Sequence, residues 1–294
     1  MEPGWVRSRH IRMPFLGSEA RAAGTVNRYQ LRTRYQQVYR DVYIPHGAEL
    51  TAVDKAMAAW LWSRRRGVAA GLSASALHGS RWIGDHEPAE INQPSMHGEA
   101  GIVLHSDQLA EDEICLVRGI LATTPARTAF DLGRRKGQTL AVIRVDALLQ
   151  AAELKIAEVQ ALADRHPGVR GLRQLGRVLD LADYGAESPQ ETRLRLLFTE
   201  NGMRPSHTQI EVFDGRYLVG RIDMGWPEWK VGVQYDGIQH WEDPRQRTRD
   251  IDQDAEYRDL GWRMVRVGAD LMRHRQPVIL ARTLAALRAA GAGY

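Results

Sequence analysis

The spacing of apolar and polar positions divides the chain into short elements of both kinds. Residues 20–34 (ARAAGTVNRYQLRTR) carry helical spacing interrupted at Gly24-Thr25, which predicts a helix, a break, and a second helix starting near Asn27. Residues 36–45, QQVYRDVYIP, are rich in β-forming side chains and are closed by Pro45. Helix, turn, helix and a short strand pair is the pattern of a small winged-helix unit. Residues 51–65 repeat apolar positions at helical spacing behind Thr51 as N-cap, and residues 72–78 predict another helix with Ser73 as its cap. Residues 90–116 alternate in short β-like pieces such as GIVLH and EICLV. Thr124-Pro125 sets a capping hydroxyl before a proline at the first helical position, so ARTAFDLGRR starts a helix. Helical spacing then runs from 140 to 165, is broken by His166-Pro167-Gly168, and resumes over 171–181.

In the last third, Ser188-Pro189 opens a helix whose buried side is Leu194, Leu196, Leu197 and Phe198. Residues 209–213 and 216–225 predict two strands flanking Asp214-Gly215 as a two-residue hairpin turn. Residues 230–235 predict a third strand after the turn Trp226-Pro227-Glu228-Trp229. Side chains alternate along a strand. Ile222 and Met224 should therefore face one way and Asp223 the other. On the next strand Val231, Val233 and Tyr235 share one face, and Gln234 and Asp236 the opposite one. The fold class is α/β: a mixed sheet flanked by helices over residues 186–294, preceded by an α+β half. That half comprises a basic helix-turn-helix-like segment at 1–47 and an α+β region at 48–184.

Composition alters this picture in two places. The single cysteine, Cys115, excludes an intramolecular disulfide and a cysteine-rich zinc module and fits a reducing cytoplasm. No apolar run has the length of a membrane span or of a signal peptide, so a soluble cytoplasmic protein without a membrane partner is expected. The net charge of +4 says little, but its distribution says more. Up to residue 66 the chain carries Arg7, Arg9, Arg12, Arg21, Arg28, Arg32, Arg34, Arg40, Lys55 and Arg64 to Arg66. Against these stand only Glu2, Glu19, Asp41, Glu49 and Asp54. Such a segment can neutralise phosphates and release counterions, which points to DNA; a solvated arginine-rich surface is the alternative.

The residues able to carry chemistry lie between Ser188 and Arg266. Two adjacent strands turning polar residues to one side would bring Asp223, Gln234 and Asp236 together. A divalent cation offsets the repulsion of clustered carboxylates, and magnesium takes such oxygen ligands and activates water against a phosphodiester. Structural roles compete for each residue. Glu191 at the third helical position completes a capping box, Asp223 can be satisfied by backbone or Arg221, and His240 can be a packed histidine. Trp226, Trp229, Tyr235 and Trp241 around the site are core, with stacking on bases as the alternative. No phosphate-binding glycine loop, nucleophile motif or zinc-ligand spacing is present.

The run SPQETRLR, then GRIDMGW, VGVQYDGIQHW and DIDQDAEYRDLGWRMVRV resembles the domain-of-unknown-function family related to very-short-patch-repair endonucleases. The resemblance implies a PD-(D/E)XK, restriction-endonuclease-like core with Glu191 on a helix, Asp223 on a strand, and a second strand ending at Asp236. It implies magnesium on Asp223 and Asp236, with Gln234 as a third ligand and Glu191 and His240 handling protons or water. It also implies a downstream helix beginning at Asp250. Two positions depart from the family pattern: Gln234 replaces a glutamate and Gln253 an arginine. The superfamily lysine has no counterpart, since Asp236 holds its place. Lys230 shares the strand parity of Gln234 but lies roughly 13 Å along the strand. The front half, through YIP, SASALHG and TTPARTAFDLGRR, is similar to AbiEi-type antitoxins, which implies a toxin protein as partner. Three functions follow: a magnesium-dependent DNA endonuclease, a non-catalytic DNA-binding regulator or antitoxin, and a plain interaction module.

Overall fold

The computed structural model describes residues 14–94, 97–135, 137–237 and 244–293, with backbone alone over 244–251. The chain is of mixed α/β class and divides into two compact units, residues 1–136 with 151–176, and residues 137–150 with 177–294.

The first unit opens with β1 (Phe15–Leu16), α1 (Gly17–Ala22), α2 (Arg28–Arg34), β2 (Tyr35–Tyr39) and β3 (Val42–Pro45). The three strands form an antiparallel sheet in the order β1-β3-β2, in which β2 and β3 are the expected strand pair and β1 is a strand the patterning did not predict. Asn27 caps α2 through a complete capping box. Its side chain accepts the Gln30 N–H (2.8 Å) and Gln30 Oε1 accepts the Asn27 N–H (3.0 Å). Then come α3 (Ala52–Trp62), β4 (Val68–Ala69), α4 (Gly71–Leu77), β5 (Ala89–Asn92), β6 (Ile102–His105), β7 (Ile114–Val117), β8 (Ile120–Thr123) and α5 (Pro125–Arg135). The five strands make a mixed sheet ordered β6-β5-β4-β8-β7. No boundary falls at residue 47. Leu16, Tyr39 and Val42 of the small sheet pack in one cluster with Ala58, Leu61 and Trp62 of α3 and with Ile91 and Ile102.

Two expected features of this unit differ. The cap of α4 is not Ser73, which instead accepts the Glu90 N–H (2.8 Å). The free N–H of Leu72 is taken by the buried Glu90 carboxylate (3.0 Å), which also meets His105 Nε2 (2.6 Å). A carboxylate from a neighbouring strand thus does what a local hydroxyl was expected to do. The helical run 140–165 is two helices, α6 (Gln138–Ala152) and α7 (Ile156–Arg165), because Glu153 takes a left-handed conformation (φ 50°) that no helix tolerates. Apolar spacing continues across such a break and hides it. The unit boundary passes through α6 after Gln150 and through α8 (Leu172–Leu181) after Gly176.

The second unit contains α9 (Pro189–Glu200), β9 (His207–Asp214), β10 (Tyr217–Trp226), β11 (Val231–Asp236), α10 (Pro244–Asp259), β12 (Arg263–Gly268), α11 (Ala269–His274) and α12 (Gln276–Ala289). Its sheet has the order β12-β11-β10-β9, with β11 and β12 parallel and the other pairs antiparallel. A mixed sheet flanked by helices is what the patterning of residues 186–294 predicts. The hairpin turn is Gly215-Arg216 and not Asp214-Gly215, since Asp214 pairs with Tyr217. Gly215, with φ of 60°, supplies the positive φ needed at the first turn position. One face of the sheet buries Met224, Trp226, Val231, Val233, Val265 and Val267 against Leu194 and Phe198 of α9 and Ile279 and Leu287 of α12. α9 is also tied to α6. The buried Asp146 carboxylate pairs with Arg195 (2.7 Å) and accepts the Thr192 hydroxyl (2.8 Å) and the Asp183 N–H (2.7 Å). Burial pushes that carboxyl up to about 6 in spite of Arg195. No helix among the described residues is long and apolar enough to cross a membrane.

Candidate functional site

In the first unit the exposed face of α2 is the feature that packing does not explain. Leu31 turns inward onto a small cluster of Ala20, Val26 and Tyr35, which sets the orientation of the helix. Arg28, Tyr29, Arg32, Thr33 and Arg34 are exposed, and α2 has no buried residue at all. Arg28 and Arg32, four apart, lie on one strip of the helix. Among the described residues neither Arg28, Arg32, Arg34, Arg21 nor Arg40 forms an ion pair, although all are exposed.

Other cations of the basic segment are committed to the fold. Arg65 grips Glu19 with both nitrogens (2.6 and 2.7 Å), and this hydrogen-bonded pairing holds the Glu19 carboxyl below its usual range. Arg64 pairs with Asp41 (2.9 Å), and Lys55 donates to the backbone carbonyls of Asp85 and Glu87. Arg7, Arg9 and Arg12 lie outside the described residues. The basic stretch thus resolves into structural arginines and an uncommitted set centred on α2. Seven helical residues span about 10 Å, a length the major groove of B-DNA admits.

The motifs SASALHG and TTPARTAFDLGRR are occupied by structure. Every residue of α4 is buried, and Gly71 has φ of 49° with the Glu90 carboxylate packed where a Cβ would stand. Burial lowers the pKa of His78, whose Nε2 reaches the Thr123 carbonyl (2.8 Å). Arg127, 2% exposed, sits between the buried carboxylates of Glu113 and Asp131, and Arg134 joins Asp131 to Asp107. His166 approaches the other oxygen of Glu113 (2.5 Å). Burial of Glu113 is outweighed by His166 and Arg127, so its carboxyl lies below the usual range. Sequence reading missed this network. Its signal was the Arg-x-x-x-Asp-x-x-Arg spacing inside an apolar helix, which puts opposite charges one turn apart.

In the second unit the structure brings three of the predicted site residues to one place. The β10–β11 ladder ends at the pair Met224–Val233, so Asp223 and Gln234 are the next residues where the two strands part. The Asp223 carboxylate lies in that gap and accepts the Tyr235 N–H (2.6 Å). Strict alternation does not hold here. Met224 packs toward α9, whereas Ile222 packs with Tyr257 of α10, so the strand changes parity at Asp223. Its neighbour across β9, Gln209, has a φ of 50°, a local irregularity of the kind that re-aims side chains. On β11 the alternation is kept, with Val233 and Tyr235 on the α9 side.

Burial pushes the Asp223 carboxyl up to about 7; the Tyr235 N–H works against this, the charges of Glu191 and Asp236 add to it, and Arg266 opposes it. Glu191 half-fulfils its capping reading. Its N–H goes to Ser188 Oγ (3.2 Å), but its carboxylate accepts from the Glu187 N–H (2.9 Å) and Gln209 Nε2 (3.0 Å), not from the Ser188 N–H that a capping box would use. Burial raises its pKa as well. Arg221 pairs with Glu187 (2.8 Å), and no ion pair joins it to Asp223 among the described residues.

Gln234 Oε1 is buried and accepts no hydrogen bond among the described residues. Asp236 pairs with Arg266 of β12 (3.1 Å), and the same guanidinium holds Asp254 of α10 (2.5 Å). Gln253 donates to the Val219 carbonyl (3.0 Å), an approach that needs the bare Gly220 beside it. Lys230 donates to the Leu260 carbonyl (2.9 Å), away from the site. Trp226 is core, edge-on to Phe198. His240 and Trp241 lie outside the described residues. Asp250 does not begin its helix, because α10 starts at Pro244.

These residues do not fit a magnesium ion. Such an ion needs near-octahedral hard oxygen ligands with at least one or two free carboxylates. Here Asp236 and Asp254 share Arg266, Asp223 is bound to backbone, and position 234 carries no charge. A divalent ion within about 5 Å of the guanidinium would be repelled by roughly 7 kcal/mol at an effective dielectric near 20. Among the described residues no group of three His, Cys, Asp or Glu side chains could hold a metal ion.

Comparison with known proteins places residues 68–181 in similarity to the AbiEi antitoxin C-terminal domain. The match includes SASALHG and TTPARTAFDLGRR, excludes YIP, and ends before the C-terminal third. Uncharacterized proteins from two strains of Mycobacterium tuberculosis are 28% identical to the chain over 190 residues, covering 65% of it and 69% of each relative. No solved structure matches.

Proposed function

We propose that the protein is a DNA-binding regulator of the antitoxin kind, acting in the cytoplasm, which grips duplex DNA through α2 and engages a toxin protein. The observation that carries the reading is the second helix of a helix-turn-helix with no buried residue and with arginines outside any described ion pair. Arg28, Tyr29 and Arg32 lie bare on one surface of that helix, opposite the inward-turned Leu31. The similarity of residues 68–181 to the AbiEi antitoxin C-terminal domain supports the same reading and supplies its second half, the toxin partner. The test is fluorescence anisotropy with the duplex upstream of its own reading frame at several salt concentrations. Arg28→Ala with Arg32→Ala is expected to weaken binding roughly tenfold or more and to flatten the salt slope by about 2. Unchanged affinity in the double variant would remove α2 from the interface.

A second reading, a magnesium-dependent endonuclease related to very-short-patch-repair enzymes, draws on the parting of β10 and β11 at Asp223 and on the buried Gln234 Oε1. In it Asp223 and Asp236 would hold the ion, Gln234 would be a third ligand, and Glu191 and His240 would serve proton transfer. Arg266 on Asp236 counts against it. Plasmid nicking with magnesium or manganese that is lost in Asp223→Ala would reinstate it.

A further inference from the structure

We propose that Arg266 is the resident counter-ion of the carboxylate face in the C-terminal unit, and that it excludes divalent cations from that face. The inference concerns the second unit alone and does not depend on DNA binding by α2.

β11 and β12 run parallel, with Gln234 beside Arg266 and Asp236 beside Gly268. Residues on β12 alternate as on β11: Val265 and Val267 join the apolar face that packs on α9 and α12. Arg266 between them must point to the other face, the one shared by Asp236. α10 covers that face and lowers Asp254 onto the same guanidinium. Its Nη1 goes to Asp236 Oδ1 (3.1 Å), and its Nε and Nη2 go to Asp254 Oδ1 (3.1 and 2.5 Å). One cation therefore bridges strand and helix where the resemblance to nucleases would set a metal between carboxylates. Burial disfavours the charge on Arg266, but Asp254 and Asp236 outweigh it and hold the group firmly protonated. An arginine cannot leave this site as a metal can, and it offers donors only. Neutral Gln234 agrees with such a face, because the guanidinium beside it already serves two carboxylates.

The experiment is a manganese titration of the full chain, with bound ion counted by electron paramagnetic resonance and folding checked by circular dichroism. Wild type and Gln234→Glu are expected to bind no equivalent of Mn2+ at sub-millimolar concentration. Arg266→Gln combined with Gln234→Glu is expected to bind one, at least tenfold more tightly than wild type, and to lose it when Asp223→Asn is added. Wild type binding one Mn2+ that disappears in Asp223→Asn would overturn the proposal, as would a folded double variant that binds none. Should the double variant not fold, Gln234→Glu alone decides: Mn2+ bound with Arg266 in place refutes exclusion, and none bound upholds it. In either event the anisotropy assay on α2 reads the DNA-binding proposal separately.

Discussion

Replacing Asp223 by asparagine is expected to stabilise the C-terminal unit at pH 8, against the usual direction of a polar substitution. The carboxyl of Asp223 is raised from 3.8 to about 7, with burial as the main cause. A raised acid holds its proton longer in the folded chain than in the unfolded one. Between about pH 4 and pH 7 the folded state therefore binds more protons, and stability falls as pH rises through that window. Above pH 7 the full cost of the buried charge is present. A shift of about three units at about 1.36 kcal/mol each sets a ceiling near 4 kcal/mol. Local relaxation brings the expected gain to about 2–4 kcal/mol. Asparagine keeps an oxygen for the Tyr235 N–H and removes the charge that Glu191 and Asp236 repel.

The assay is hydrogen exchange by mass spectrometry over residues 217–236 in a urea series, which isolates this unit from the other. The variant's advantage at pH 5 should be less than about half that at pH 8. Asp146, at about 6, titrates in an overlapping window but is present in both proteins and cancels from the difference. An advantage that does not change between pH 5 and pH 8, or a variant less stable at pH 8, would refute the reasoning. The latter would mean that Arg266 and the Tyr235 N–H favour the charge by more than burial opposes it.

Three further outcomes follow from the first unit. Arg127→Met leaves Glu113 and Asp131 buried without their shared cation, an expected loss of about 3–5 kcal/mol that a thermal melt or loss of soluble protein would register. Gly71→Ala places a Cβ against the Glu90 carboxylate at a φ of 49°, and should cost about 1–3 kcal/mol and increase exchange of the Leu72 amide; an unshifted melting temperature would remove the argument. Arg64→Ala, which loses an exposed pair with Asp41, should change stability by no more than about 1 kcal/mol and leave DNA affinity nearly intact, in contrast to the α2 variants.

Much of the fold was legible because local chemistry carries it. Ser188-Pro189 marks the start of α9 by capping alone, and Asn27 with Gln30 marks that of α2. Where the determinant is distant, local reading fails. α4 looks capped by Ser73 because the capping Glu90 lies on another strand, and the break at Glu153 leaves no mark on apolar spacing. The same limit governs the candidate site. The alternation rule brought Gln234 and Asp236 to one face, but it set Ile222 and Met224 on a common face, which the change of parity at Asp223, at the end of a ladder, puts on opposite ones.

Arg266 shows why a chemistry-bearing cluster and its neutralising partner are unequally visible. Carboxylates on adjacent strands can be paired from spacing, since hairpin register follows from the turn. The cation comes by a parallel crossover through α10, whose register no turn sets. Its signal was present all the same: an arginine flanked by Val265 and Val267, the two core residues of the strand. A buried strand admits such a residue only where acids await it. The run MVRV thus carries the sign of an ion pair, which the structure forms with Asp236 and Asp254. The same residues that resemble a metal-dependent nuclease then describe a unit whose charge is balanced from within. Arg28 and Arg32 on the exposed face of α2 form no ion pair among the described residues, and there binding to DNA has to be tested.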